Sequence, residues 1–371
     1  MDRREFAVGA AALVGASVVP GLASAVDAPE VSSSARSLWR RAVVLDCNIG
    51  PQFSAETFPL PRADLDIAHA SGLTALKTSI GGFNASFEDT VAELAFYQRV
   101  FESHPATYMQ IRTVADFDTA KRTSKLGIVF GFENAACLED KVDRIAVFRN
   151  FGVRVMQLSY NLTSPFGAGV LAPADATLTE LGRQAVAKMN EVGVALDLSH
   201  ANPATTAAAI AASTKPVIMT HAGCVAIHPH PRNKTDDQLR ALAAKGGVFG
   251  IYDLPYLTAS PRQPTLDDYM AHMTHALDVM GEDHVGFGSD TSFGTMDNSP
   301  ESRAQFDEME RQRHAAGVAA PEEDRMTYVD GLNQADRSLI IADALMKRGY
   351  PARVAEKVLG ANFVRVFGEI W

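Results

Sequence analysis

The sequence predicts one α/β domain, a (β/α)8 TIM-like barrel, and three observations predict it. Eight short runs rich in Val, Ile and Leu recur at 42–45, 73–79, 127–132, 153–158, 194–198, 216–220, 247–252 and 285–288. They lack clean apolar/polar alternation, as strands buried on both faces do. Segments with helical periodicity separate them, and repeated βα units of this kind form a parallel sheet that closes at eight strands.

The helical segments follow the strands in order: 88–103, 141–150, 178–191, 204–212, 236–245 and 266–280. The stretch 297–330 is polar and poorly periodic and reads as an insertion, a loop plus a helix. Residues 335–348 and 351–359 read as closing helices. The 371 residues are 47% hydrophobic and 21% charged, enough for a large core and far from a disordered composition. No second domain is needed, so 26–371 is read as one barrel. The net charge of −10 opposes a nucleic-acid partner.

The first 25 residues read as an export signal. Arg3 and Arg4 precede a mildly apolar run from Phe6 to Leu22, and Ala23-Ser24-Ala25 resembles a small-residue cleavage site. Paired arginines before a weak apolar segment point to the twin-arginine route, with a generic Sec signal or an uncleaved anchor as the other readings. Pro20 and the glycines argue against a permanent span, and no later segment is long and apolar enough to cross a bilayer. The expectation is a mature chain from near Val26, periplasmic or secreted. Cys47, Cys137 and Cys224 are odd in number and lack a CxxC pattern, so they define no disulfide framework.

In a (β/α)8 barrel the reactive side chains project from the C-terminal strand ends. Read in order, those ends carry Asp46, Ser79, Glu133, Tyr160, His200, His221, Asp253 and Asp290. A lone histidine after a strand is more often a structural hydrogen bonder than a ligand. Two on successive strands, with carboxylates on others, can converge on one cation, and zinc accepts imidazole nitrogen together with carboxylate oxygen.

Several stretches carry a more specific resemblance: Asp197-Leu198-Ser199-His200, Met219-Thr220-His221, Pro231-Arg232-Asn233, Gly286-Phe287-Gly288-Ser289-Asp290 and Gly360-Ala361-Asn362-Phe363. In order and spacing, residues 42–371 resemble the membrane dipeptidase (renal dipeptidase) family of zinc peptidases, as a divergent member. The resemblance implies a TIM-like barrel with a two-zinc site that cleaves dipeptides, often in a dimer, so a homodimer is possible. It implies that His200 and His221 bind one zinc, that Glu133 bridges two, and that Asp290 stands beside the metals and handles the water or leaving-group proton. It also implies that Arg232 binds the substrate carboxylate. Without it, Arg232 reads as a surface ion-pair partner of Asp236 or Asp237.

The chain departs from the family at two places. The family's His-x-Asp after the first strand, ligands of the second zinc, is replaced by Asn48-Ile49-Gly50. Asn48 is a poor zinc ligand and Gly50 has no side chain, so the second site keeps only Glu133 and Asp290 as metal ligands, with Asp46 or Cys47 as possible recruits. Tyr160 stands where the family has a histidine that assists the substrate carbonyl, and its phenol can donate one hydrogen bond there. The expectation is an exported hydrolase of dipeptides or related small amides with one tightly bound zinc. The alternative is a relative that has lost dipeptidase activity and modifies or binds a secreted peptide or metabolite.

Overall fold

The computed structural model of the protein describes residues 31–82 and 84–371; the predicted signal segment 1–25 lies outside the described residues. Nine strands are present among them: β1 (Leu45–Asp46), β2 (Ala75–Ser79), β3 (Tyr108–Gln110), β4 (Leu126–Phe132), β5 (Val153–Met156), β6 (Ala195–Leu196), β7 (Ile218–Ala222), β8 (Val248–Ile251) and β9 (Val285–Phe287). All ladders are parallel, in the orders β1-β2-β4-β5-β6 and β7-β8-β9. A bridge between Asp197 and Ile218, with Leu198 N–H donating to Ile218 O at 2.8 Å, joins the two sets. The ring closes where Cys47 N–H donates to Phe287 O at 3.1 Å and Asp290 N–H to Asn48 O at 2.7 Å. Each of the eight predicted runs supplies one barrel strand.

β3 was not anticipated. It pairs with the first half of β4 (Leu126–Ile128), while β5 pairs with the second half (Phe130–Phe132). Three residues with only Tyr108 buried are too short for a hydrophobic pattern to announce them.

The interior has two ends. At the N-terminal mouth, Leu45, Ala75, Val129, Val155, Ala195, Ile218 and Val248 share one buried cluster with Phe363, Val366, Phe367 and Ile370. The last four lie on the helix Asn362–Ile370, which plugs this mouth. Gly286 leaves room for the Phe363 ring, and Phe367 stacks on Trp371 at 4.4 Å between centroids. With that end filled by carbon, the polar side chains are confined to the opposite end, where the strands finish.

The helices form where periodicity placed them, Leu266–Met280 to the residue, with a capping box between Thr265 and Asp268. Ser33–Arg41, Arg62–Ala70, Ala115–Thr123 and Asn362–Ile370 are helices the sequence reading did not mark. The insertion is a helix, Pro300–Ala315, followed by a strap over the C-terminal rim. The strap accepts hydrogen bonds at Val318 O from Asn161 Nδ2 (2.9 Å) and at Thr327 O from Thr291, and Pro321 O pairs with His230 Nε2 (2.7 Å). Among the described residues no helix is long and apolar enough to cross a membrane.

Candidate metal centre

Glu133 follows β4, His200 follows β6 and His221 lies in β7, so three separate strands deliver these side chains to one point on the rim. All three are buried, and one ligand atom from each lies within 4.8 Å of the others. The two Nε2 atoms are 3.0 Å apart, and Glu133 Oε2 is 3.9 Å from His200 Nε2.

The partners of the imidazoles determine which nitrogen carries the proton. Asn161 Nδ2 donates to Val318 O, so its Oδ1, 2.8 Å from His200 Nδ1, must accept from that ring. Thr220 gives its hydroxyl proton to Asp197 Oδ2 at 2.6 Å, so its oxygen accepts from His221 Nδ1 at 2.8 Å. Both rings are therefore Nδ1–H tautomers with Nε2 lone pairs facing each other. Burial, followed by the charge of Arg232, pushes both pKa values well below the usual histidine range, so no proton sits between them near neutrality. Two lone pairs 3.0 Å apart beside a carboxylate repel unless a cation lies among them. This donor set suits a divalent transition metal, with the back-side hydrogen bonds typical of ligating histidines.

Asp197 organises this half of the rim. Its carboxylate accepts from Ser199 N–H and Oγ, Thr220 N–H and Oγ1, and Gln157 Nε2. His221 N–H then donates to Ser199 Oγ at 3.1 Å. The Asp-x-Ser-His stretch is thus a hydrogen-bonded corner that aims two imidazoles.

Asp290 stands beside the three ligands, its Oδ2 3.8 Å from His221 Nε2. Asn48 Nδ2 donates to its other oxygen at 2.8 Å. The residue has φ +55°, a left-handed backbone that Asp tolerates better than most residues. Burial and the charge of Glu133 raise its pKa. Tyr160 stacks on His200 with ring centroids 4.1 Å apart. Arg232 is buried rather than paired at the surface: Asp236 and Asp237 bond to Arg240 instead. Its Nη1 donates to Ser199 O at 2.6 Å, and its Nη2 is buried without a partner.

Asp46 and Cys47, the two residues open to recruitment, are held in the fold. Asp46 accepts from Ser289 Oγ at 2.5 Å, Ser289 N–H at 2.9 Å and Asn48 N–H at 3.1 Å, clasping the end of β1 to the end of β9. Cys47 packs in the apolar cluster, and burial together with the Asp46 charge keeps it a thiol. Neither belongs to the set of ligand atoms, so recruitment of Asp46 or Cys47 to a second metal finds no support. Asn161 and Lys77 are the site residues the sequence reading missed. The signal for Lys77 was present: a lysine inside an apolar strand run.

The sequence profile of the membrane dipeptidase family (peptidase family M19) matches residues 27–309. The chain belongs to this family. Dipeptidase tcpJ of Claviceps purpurea is a relative 27% identical over 290 residues, covering 77% of this chain and 61% of its own, so the match spans about three fifths of that protein. An uncharacterized protein from the pqqA 5' region of Klebsiella pneumoniae is 28% identical over 269 residues, 70% of this chain and 88% of its own. Among solved structures, an amidohydrolase from Pseudomonas aeruginosa superposes with TM-score 0.80 at 29% identity, over 91% of this chain and 99% of that one. A metallo peptidase from Rhodobacter sphaeroides shares the fold (TM-score 0.71, 19% identity, 89% and 99% covered). This M19 chain thus keeps the family barrel and a Glu/His/His cluster on its rim, and departs from the resemblance after the first strand.

Proposed function

We propose that the protein is a metal-dependent hydrolase of dipeptides or closely related small amides, working with one tightly held zinc. The observation that carries the reading is the pair of Nε2 lone pairs 3.0 Å apart, with both rings locked in the ligating tautomer beside Glu133. Glu133, His200 and His221 would hold the ion. When bound, it supplies Lewis-acid polarisation of the scissile carbonyl and acidifies water near it.

The side chains supply the rest. Asp290, held in orientation by the Asn48 amide, would take the proton of the attacking water and pass it to the leaving amine. The unpartnered Nη2 of Arg232 favours an anionic substrate end, a free carboxylate, which a guanidinium recognises through paired N–H donors. Tyr160, stacked on His200, would donate to the carbonyl oxygen as charge develops there. A protein that only binds peptides has no use for two imidazoles held with lone pairs opposed, which favours the hydrolase over the alternative of a binder.

The test is a dipeptide library assayed with the zinc-loaded protein, beside the same dipeptides as C-terminal amides. Free dipeptides are expected to be cleaved, the amides at least tenfold less well in kcat/KM, and Arg232→Lys to shrink that preference. No hydrolysis of any dipeptide by the fully loaded protein would sink the reading. The export signal remains part of the proposal, with the periplasm or the medium as destination.

A further inference from the structure

One buried cation lies where the family resemblance leads one to look for a second metal. Lys77, on β2, is wholly buried. Its ammonium donates to Asn48 Oδ1 at 2.6 Å and Ser79 Oγ at 3.0 Å and lies 3.8 Å from Glu133 Oε1. Two hydrogen bonds and one carboxylate at ion-pair distance surround the ammonium, so its charge is balanced within the site. Gly131, opposite on β4, leaves space for the lysine stem: a Cβ there would collide with Lys77 Cε.

The two oxygens of Glu133 look in different directions. Oε2 faces the histidine pair, while Oε1 accepts from Ser79 Oγ at 2.6 Å and faces Lys77. Asn48 is polarised in the same way, its oxygen on the ammonium and its Nδ2 on Asp290. One cation thus ties together the far side of Glu133 and, through one amide, Asp290.

We infer that the Lys77 ammonium replaces the second metal: the centre is mononuclear, and Lys77 is a positioning residue that supplies a fixed positive charge between Glu133 and Asp290. Asn48 is then a fitting residue, because its amide oxygen accepts from the ammonium while its Nδ2 donates to the Asp290 carboxylate. A divalent ion placed within reach of Asn48 Oδ1, Ser79 Oγ and Glu133 Oε1 would meet the ammonium at contact distance, and like charges so close in a buried site repel strongly. The inference rests on the reading of Glu133, His200 and His221 as a metal site, not on the identity of the substrate.

The experiment is a metal count on the full chain, stripped with chelator and titrated with excess manganese or zinc, by elemental analysis and calorimetry. Wild type is expected to saturate at one ion per chain; two ions would overturn the assignment. Lys77→Asp exchanges the ammonium for a carboxylate beside three oxygen acceptors, a donor set that suits manganese. That variant is expected to take two ions and to show the electron paramagnetic resonance signature of a coupled manganese pair. A Lys77→Asp protein with a native melting transition and one ion would equally overturn it. Should that variant not fold, the wild-type count still decides. Dipeptide hydrolysis measured on the same wild-type sample separates the two proposals. One ion without hydrolysis fails the function alone, and two ions with hydrolysis fail the Lys77 assignment alone.

Discussion

Asn161 contacts no metal in this arrangement, yet it determines which His200 nitrogen is free. Its amide is oriented by Val318 O, so the ring must offer Nε2 to the site. Losing a partner of this kind weakens metal affinity by about 10–100-fold. Asn161→Ala is expected to show that loss by zinc competition titration, while His221→Ala, which removes a donor, should purify nearly metal-free. Asp253 gives a second prediction at this scale. Its carboxyl is buried, both oxygens lack hydrogen-bond partners, and Arg337 Nε is 3.8 Å away. Burial pushes its pKa up to about 8, against the lowering charge of Arg337. A folded-state pKa above the unfolded value (about 3.9) means stability that is full below pH ~4 and is lost as pH rises toward 8. Asp253→Asn should remove that slope. Melting temperatures of the two proteins run in parallel from pH 5 to 9 would contradict it.

Elements matter here chiefly by which end of the barrel they fill. The helix Asn362–Ile370 seats Phe363 against Gly286 at the N-terminal mouth, away from the metal ligands. Phe363→Ala should cost about 3–5 kcal/mol in urea unfolding, since the cavity is enclosed on all sides. Its metal content should stay that of wild type, because nothing at the ligand end touches it. The strap after Pro300–Ala315 works at the opposite end: it buries Met326 and Tyr328 against Met296 and Phe306, and its carbonyls orient Asn161 and meet His230. Its function was invisible in the sequence because backbone carbonyls carry no residue signature. Lys77 was visible only as an oddity, a charge within an apolar strand. Gly131 and Asn48, which make it tolerable, lie 54 and 29 positions away in the chain.

The whole molecule combines a closed barrel with a leader that reads as an export signal. We propose that the leader directs a route that carries folded proteins, which suits a chain whose candidate metal ligands come from three separate strands. Changing Arg3 and Arg4 together to lysine is expected to leave the precursor in the cytoplasm, assayed by fractionation and immunoblotting. Unchanged export would assign the chain to the Sec route.

Barrel class, strand order, most outer helices and the candidate ligands Glu133, His200 and His221 were determined by the sequence alone. Buried parallel strands write continuous apolar runs, and strand ends in this fold share a rim, so local pattern carries global position. Only the tertiary structure decided what the groups at that rim do with one another. It turned Asp46 into a clasp on Ser289, put Cys47 among carbon, drew Arg232 inside and set Lys77 against the far oxygen of Glu133. Those outcomes depend on contacts between residues far apart in the chain. A hydrogen bond or a buried charge pair is settled by ångströms, and spacing along the chain does not record them.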